Sequence, residues 1–302
     1  MNTLRAATLS LSSVVFLGLS STAQAEVVLS YSPWAPGFVP EQVVQAFFDD
    51  VETATEGRVR VETRAAMVGG GSAAQFDVAL DGLTDITMIV PAYTPGRFPL
   101  LEVGDFPFIN TDHAAAADRF YKDYEQYLAP HNPFEGVKLL SIWLMPAQNV
   151  VTNGKVISSV DDFNGLKLRS PNPQSSTIMQ SLGAVPVSAG GDQLFQMAST
   201  GMVQGAFFSY QAMLSFEIHP YLNQFTVIPG GLTSGTNGLV INQEAWGRID
   251  PADQKIIEGL AGENLSARIS ETWAQLELDS RKKLEGLGVT FTDMKPELVE
   301  AI

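Results

Sequence analysis

The chain has 302 residues, no cysteine, and 33 Asp and Glu against 18 Lys and Arg, a formal net charge of -15. Without cysteine it can carry no disulfide framework, no Cys-ligated zinc or iron–sulfur site, no thiol nucleophile and no lipidated N-terminal Cys. So acidic a chain is a poor partner for nucleic acid, which requires a basic face to displace counterions from phosphate. Its 45% hydrophobic and 17% charged residues place it among globular rather than disordered chains.

The first residues read as an export signal. Arg5 is the single charge of a short polar start, and residues 9–19 are apolar over the length of a signal core. Ala23-Gln24-Ala25 is then a small-x-small cleavage site that makes Glu26 the first mature residue. A spanning helix needs about 20 apolar residues, and this serine-studded stretch is shorter. Cleavage removes Arg5 and no acid, so the acidic excess grows by one. With no Cys at the cleavage point, the expected product is released unlipidated into a bacterial periplasm, which argues against ATP- or nicotinamide-driven chemistry.

Beyond residue 26, strand and helix signals alternate. Residues 27–31 form a short apolar strand, followed by a Pro/Gly-rich turn through Pro40. Residues 41–55 carry Val43, Val44, Phe47, Phe48 and Val51 at amphipathic-helix spacing, and Gly57 stands where a helix-ending glycine belongs. Residues 58–64 alternate as a strand, and Gly69-Gly70-Gly71-Ser72 opens a helix through Leu80. Residues 85–90 are the next strand, 114–128 a helix, and 137–144 a buried strand. Residues 76–90 and 195–208 share a helix–glycine–strand order, with Gly82 and Gly201 in equivalent places. The order predicts an α/β protein with mainly parallel sheets, built as two similar lobes with a cleft between them, a common ligand site.

Candidate chemistry is sparse. Gly69-x-Gly71-x-x-Ala74 superficially matches a dinucleotide fingerprint, but it stands too far from the strand end; a loop feeding a helix N-terminus near an anion is the better assignment. His113, His131 and His219 fit no metal-ligand spacing, and no nucleophile elbow or calcium loop is present, so no metal, cofactor or catalytic site is expected. Asp161-Asp162 reads as a turn or cap. Arg169 ends a probable strand, where open α/β sheets bind ligands, and its planar fork matches a carboxylate. A surface or interlobe salt bridge is an equally weighted alternative on these grounds. Trp34, Tyr93, Phe208 and Tyr210 follow strand ends and can line one cleft; alternation turns Phe207 away from Phe208 and into a core.

At this point the residues resemble a family. Phe163-Asn164-Gly165-Leu166-Lys167-Leu168-Arg169 followed by Leu182-Gly183-Ala184-Val185-Pro186-Val187 is similar to the signature of TRAP-transporter solute-binding proteins of the DctP type. Residues 193–205, Ala79–Asp85 and Asp105-Phe106-Pro107-Phe108 continue it. Pro91–Pro99 resembles a subgroup carrying a Pro-Gly-Arg-Phe-Pro run. The resemblance implies a two-lobed periplasmic binding protein, lobes joined by hinge strands. Such a receptor closes on a small organic acid and hands it to a sodium-coupled permease of small and large membrane subunits, without ATP. It also implies that Arg169 clamps the ligand carboxylate. Phe208 stands where many members have a ligand-contacting asparagine, and Gln148-Asn149 where many have a second arginine. One firm carboxylate contact in a more apolar, aromatic pocket is therefore expected, with Trp34, Tyr93 and Phe208 packing the body of the ligand and Gln148 and Asn149 adding polar contacts.

Lobe I is expected to comprise 26–147 plus about 235–274, and lobe II 148–234 plus about 275–302. Relatives usually continue past the position of Ile302 with another helix, so lobe II is expected to lack a covering element unless the sequence is truncated. A receptor for a membrane sensor kinase, or a secreted hydrolase or lyase, is the alternative function.

Overall fold

The structure, a computed structural model, describes residues 26–33 and 38–302; the signal segment and Trp34 lie outside the described residues. The strands are β1 (Val27–Ser32), β2 (Val59–Thr63), β3 (Ile86–Ile89), β4 (Val137–Leu144), β5 (Asn149–Thr152), β6 (Lys167–Ser170), β7 (Val185–Ser188), β8 (Gly205–Phe208), β9 (Gln224–Val227), β10 (Thr236–Asn242) and β11 (Thr290–Asp293). The helices are α1 (Val39–Ala54), α2 (Gln75–Leu80), α3 (His113–Asp123), α4 (Pro173–Ser181), α5 (Leu194–Ser199), α6 (Tyr210–Ser215), α7 (Gln243–Gly247), α8 (Pro251–Leu260), α9 (Gly262–Gly286) and α10 (Pro296–Ala301).

The alternation expected from the sequence is present, with local refinements. The helix over 114–128 is α3 followed by a wider π turn at Tyr124–Leu128, and the loop at 69–72 passes through a 3-10 turn, Ser72–Ala74, before α2. Helix α1 ends as its composition requires. Glu56 and Gly57 both take left-handed backbone angles, φ 53° and 77°, and Gly57 N donates to Glu52 O at 2.8 Å. Asp112 caps α3, its side chain accepting from Ala115 N at 3.3 Å.

Two sheets define two lobes. One runs β2-β1-β3-β10-β4 and the other β11-β9-β5-β8-β6-β7. The expectation of mainly parallel sheets needs one correction in each. Strand β10 is antiparallel to both its neighbours, β3 and β4, and β5 is antiparallel to β8 and β9, while the remaining pairs are parallel. The cause is the chain path. These reversed strands are the ones that arrive directly from the other lobe, β5 after β4 and β10 after β9, without a crossover helix to restore direction.

The two crossings run side by side. Gln148 N donates to Thr233 O at 2.8 Å, Leu232 N to Gln148 O at 3.0 Å, and Gln148 Nε2 to Ser234 O at 2.7 Å. A third connection is α9, which packs on α1, α3 and β4 of one lobe and on α6 and β11 of the other.

Each lobe has its own outer core. Phe76, Phe98, Phe120 and Phe134 fill the first, and Val150, Phe163, Met179 and Phe207 the second. A larger cluster joins the lobes through Phe38, Trp143, Phe208 and Trp273, with Phe38 edge-on to Trp273 at 4.9 Å between ring centroids. Phe207 and Phe208 therefore face opposite sides of their sheet, as strand alternation dictates.

Candidate functional site

The site is built where the carboxyl ends of β6, β7 and β8 meet the loop after β3. In β6 the alternation that buries Leu168 on the outer core sends Arg169 to the opposite face, toward the other lobe. Its side chain is 1% exposed. Arg169 Nε donates to Ala189 O at 2.9 Å, just past the end of β7, and Nη2 donates to Tyr93 Oη at 3.2 Å. The guanidinium carbon lies 6.0 Å from the Tyr93 ring centroid and 5.8 Å from that of Phe208. The described residues give this buried guanidinium no carboxylate partner, which disposes of the salt-bridge alternative for Arg169 within them.

Tyr93 comes from the 3-10 turn Pro91–Tyr93 after β3 and also accepts from Gly191 N at 3.0 Å. A methyl group on Gly191 would stand 3.2 Å from Tyr93 Oη, 3.9 Å from Arg169 Nη2 and 3.9 Å from Phe208 Cε2, so these four residues converge on one small volume. Phe208 is 5% exposed there and lies 6.1 Å from the Phe216 ring centroid.

Beside Tyr93, a crevice of about 490 Å³ runs along the lobe boundary. It is lined by Gly71, Ser72 and Tyr93 from one lobe and by Asn172, Ala189 and Asp192 from the other. Ser72 Oγ donates across it to Asp192 Oδ1 at 2.9 Å. The anion expected at the mouth of the 69–72 loop is thus supplied by the protein's own second lobe. Further along the seam Gln174 donates to Glu102. Near it, Asp105 is pushed up to about 7 by burial and by the neighbouring Glu102 charge, against a hydrogen bond from Asn172.

Of the residues expected at the site, Arg169, Tyr93 and Phe208 are brought together. Gln148 and Asn149 lie on the crossing and on β5, and both are buried. The Gln148 amide is bound to Ser234 O, while Asn149 Oδ1 accepts from Ile228 N at 2.8 Å and its Nδ2 donates to Tyr210 Oη at 3.2 Å. Neither lines the crevice, and of the expected residues that are described only Tyr93 does; Arg169 and Phe208 stand behind it. Ser72 was legible only as the end of a glycine loop. Ala189, Gly191 and Asp192 escaped sequence reasoning; the Gly190-Gly191 pair directly after a strand was the signal that could have found them. Glu277 is another. It accepts from Tyr210 N and Gln211 N, both at 2.9 Å, holding the start of α6 immediately after Phe208, and burial pushes it up to about 7. Among the described residues no cluster of acids and histidines has the makings of a metal site, and no helix is long and apolar enough to cross a membrane.

A two-lobed α/β body with a buried guanidinium at strand ends, facing the opposite lobe and given no carboxylate by the described residues, is the architecture of a solute receptor. Residues 32–302 match the description of the bacterial extracellular solute-binding proteins, family 7. The chain belongs to that family, the DctP type of TRAP-transporter solute-binding proteins, a family of transport receptors rather than enzymes. It is similar to a TRAP periplasmic solute-binding protein from Bordetella bronchiseptica, solved with (R)- and (S)-mandelate. That likeness has 29% identity and a TM-score of 0.86, over 91% of this chain and 88% of the other. It is also similar to a TRAP solute-binding protein from Rhodoferax ferrireducens with copurified benzoate, at 26% identity and TM-score 0.85 over 91% and 87% of the two chains. A protein of Comamonas testosteroni named outer membrane transporter protein TsaT is 25% identical over 281 residues, 92% of this chain and 82% of that one.

Proposed function

We propose that the protein captures a monocarboxylate with an aromatic or apolar body in the periplasm and delivers it to a sodium-coupled TRAP permease of small and large membrane subunits. The observation that carries this is Arg169, 1% exposed and with no carboxylate against it among the described residues. Burying a cation without an anion costs several kcal/mol by desolvation, and two ring faces offset it only in part, at about 0.5–2 kcal/mol each. A planar bidentate acid is the partner that shape and charge favour.

Tyr93 and Phe208, with Trp34, would pack the body of the ligand, and Gln148 and Asn149 would contribute polar contacts from the crossing. The bodies that move are 26–147 with about 235–274, and 148–234 with about 275–302. A ligand bridging them would favour the closed arrangement. The likeness to receptors carrying mandelate and benzoate supports the aromatic class. Release of residues 1–25 on export completes the reading.

Isothermal calorimetry with a panel of aromatic and aliphatic monocarboxylates tests it. Arg169→Ala should abolish acid binding while circular dichroism stays unchanged. Unaltered affinity would remove the clamp, and a response to sugars alone would remove the carboxylate class.

A further inference from the structure

Asp192 stands out in the crevice beside the Arg169 cluster. It is the one charged side chain among the lining residues, and it is half-buried at the lobe boundary. The described residues supply one donor to this carboxylate, Ser72 Oγ on Oδ1, and none to Oδ2. A carboxylate accepts about four hydrogen bonds when fully served, so Oδ2 is an acceptor with no donor on the side that faces Gly71.

The backbone approaches it closely on both sides. A methyl group on Gly71 would stand 3.0 Å from Oδ2, and one on Gly190 would collide with Oδ1 and come within 2.8 Å of Ser72 Oγ. Glycines from opposite lobes therefore flank the same carboxylate. One residue before it, Gly191 abuts Arg169, Tyr93 and Phe208. Adjacent Cα atoms are about 3.8 Å apart, so the unpaired guanidinium and the underused carboxylate are within the span of one small acid.

We propose that Asp192 sets the ligand class: a monocarboxylate carrying a hydroxyl group, whose acid end meets Arg169 and whose hydroxyl donates to Asp192 Oδ2. The assignment rests on the carboxylate reading of Arg169 and adds two things to it. A ligand hydroxyl gains a charge-assisted bond to a carboxylate oxygen to which the described residues donate nothing. A second carboxylate on the ligand would face Asp192 at close quarters and be rejected.

The test uses matched acids differing by one hydroxyl, mandelate against phenylacetate and 3-hydroxybenzoate against benzoate, with calorimetry on the wild-type protein and on Asp192→Ala. The hydroxylated member of at least one pair should bind about tenfold tighter to wild type, a factor in keeping with one charge-assisted bond. Asp192→Ala should bring that pair to near-equal affinity, whereas Ser72→Ala, which loses the cross-cleft bond but keeps the carboxylate, should retain the preference. Isophthalate, with its second carboxylate, should bind Asp192→Asn more tightly than wild type. Equal affinities within both pairs, or a preference that survives Asp192→Ala, would overturn the role of Asp192 and leave Arg169 untouched. Failure of all four acids to bind wild type would overturn this assignment, and failure of the aliphatic acids as well would overturn the carboxylate reading beneath it.

Discussion

Arg169 and Gly191, on one lobe, both donate to a single atom of the other, the phenolic oxygen of Tyr93, at 3.2 and 3.0 Å. A phenol oxygen holding two donors fixes the orientation in which the guanidinium presents its remaining N–H groups to a ligand. Tyr93→Phe keeps the ring and removes that acceptor. Each net hydrogen bond is worth about 0.5–1.5 kcal/mol, more with a charged donor, so acid affinity measured by calorimetry should fall by roughly tenfold. The melting temperature without ligand should fall as well, because two buried donors lose their acceptor.

Arg169→Lys separates shape from charge. The lysine keeps the cation but loses the planar fork that reaches Ala189 O and Tyr93 Oη at once. Acid affinity should fall by at least about tenfold, and fluorescence titration with benzoate would show it. Full retention would mean that charge alone is recognised.

Stability should fall as pH rises from about 4 to about 7, because two buried acids, Asp105 and Glu277, outweigh one buried histidine that pulls the other way. Asp105 is raised to about 7 by burial and Glu102, so the native state holds a proton that the unfolded chain releases above its ordinary range near 4. Stability therefore falls as pH rises from about 4 to about 7, by the linkage sign. His113 is lowered to about 4 by burial, so the unfolded chain takes up a proton first and stability falls as pH drops below about 6.5. Glu277, also raised to about 7 by burial, adds a parallel loss, so Asp105→Asn should lessen the fall between about pH 4 and 7 without abolishing it and raise stability at pH 8 by on the order of 2–4 kcal/mol. Urea denaturation at pH 5, 6.5 and 8 measures this, and an unchanged difference between pH 5 and 8 would contradict it.

Glu277→Ala strips two backbone donors, Tyr210 N and Gln211 N, of their acceptor at the start of α6. Loss of such a cap costs about 0.5–2 kcal/mol. Because Phe208 lies just upstream, acid affinity should weaken as well. Glu277→Gln retains an acceptor oxygen without the charge and should recover most of both, as read by urea midpoints and calorimetry.

Much of the fold was legible because single-sequence patterns report local physics. The stripe Val43, Val44, Phe47, Phe48, Val51 becomes the buried face of α1, and alternation in β8 sorts Phe207 from Phe208 into different cores. Sheet direction was legible only in part. The reversal of β5 and β10 follows from where the chain crosses between lobes, and no residue within either strand encodes that. Arg169, Tyr93 and Phe208 could be picked out as strand-end residues with distinctive chemistry. Ser72 was legible as the end of a glycine loop, but its pairing with Asp192 was not, since it spans 120 positions. Gln148 and Asn149 were visible as polar residues after a buried strand, but the backbone groups they bind, Ser234 O and Ile228 N, arrive from β9 and the return crossing.

The paired crossings also limit how the lobes can travel. Two chain segments bonded side by side through Gln148 and Thr233 bend together far more readily than they twist or slide past one another. Any opening would therefore have to bend this bonded pair and also loosen α9, which packs on both lobes. It would part the Ser72–Asp192 bond across the crevice, so a solute that keeps that bond from forming would hold the lobes ajar.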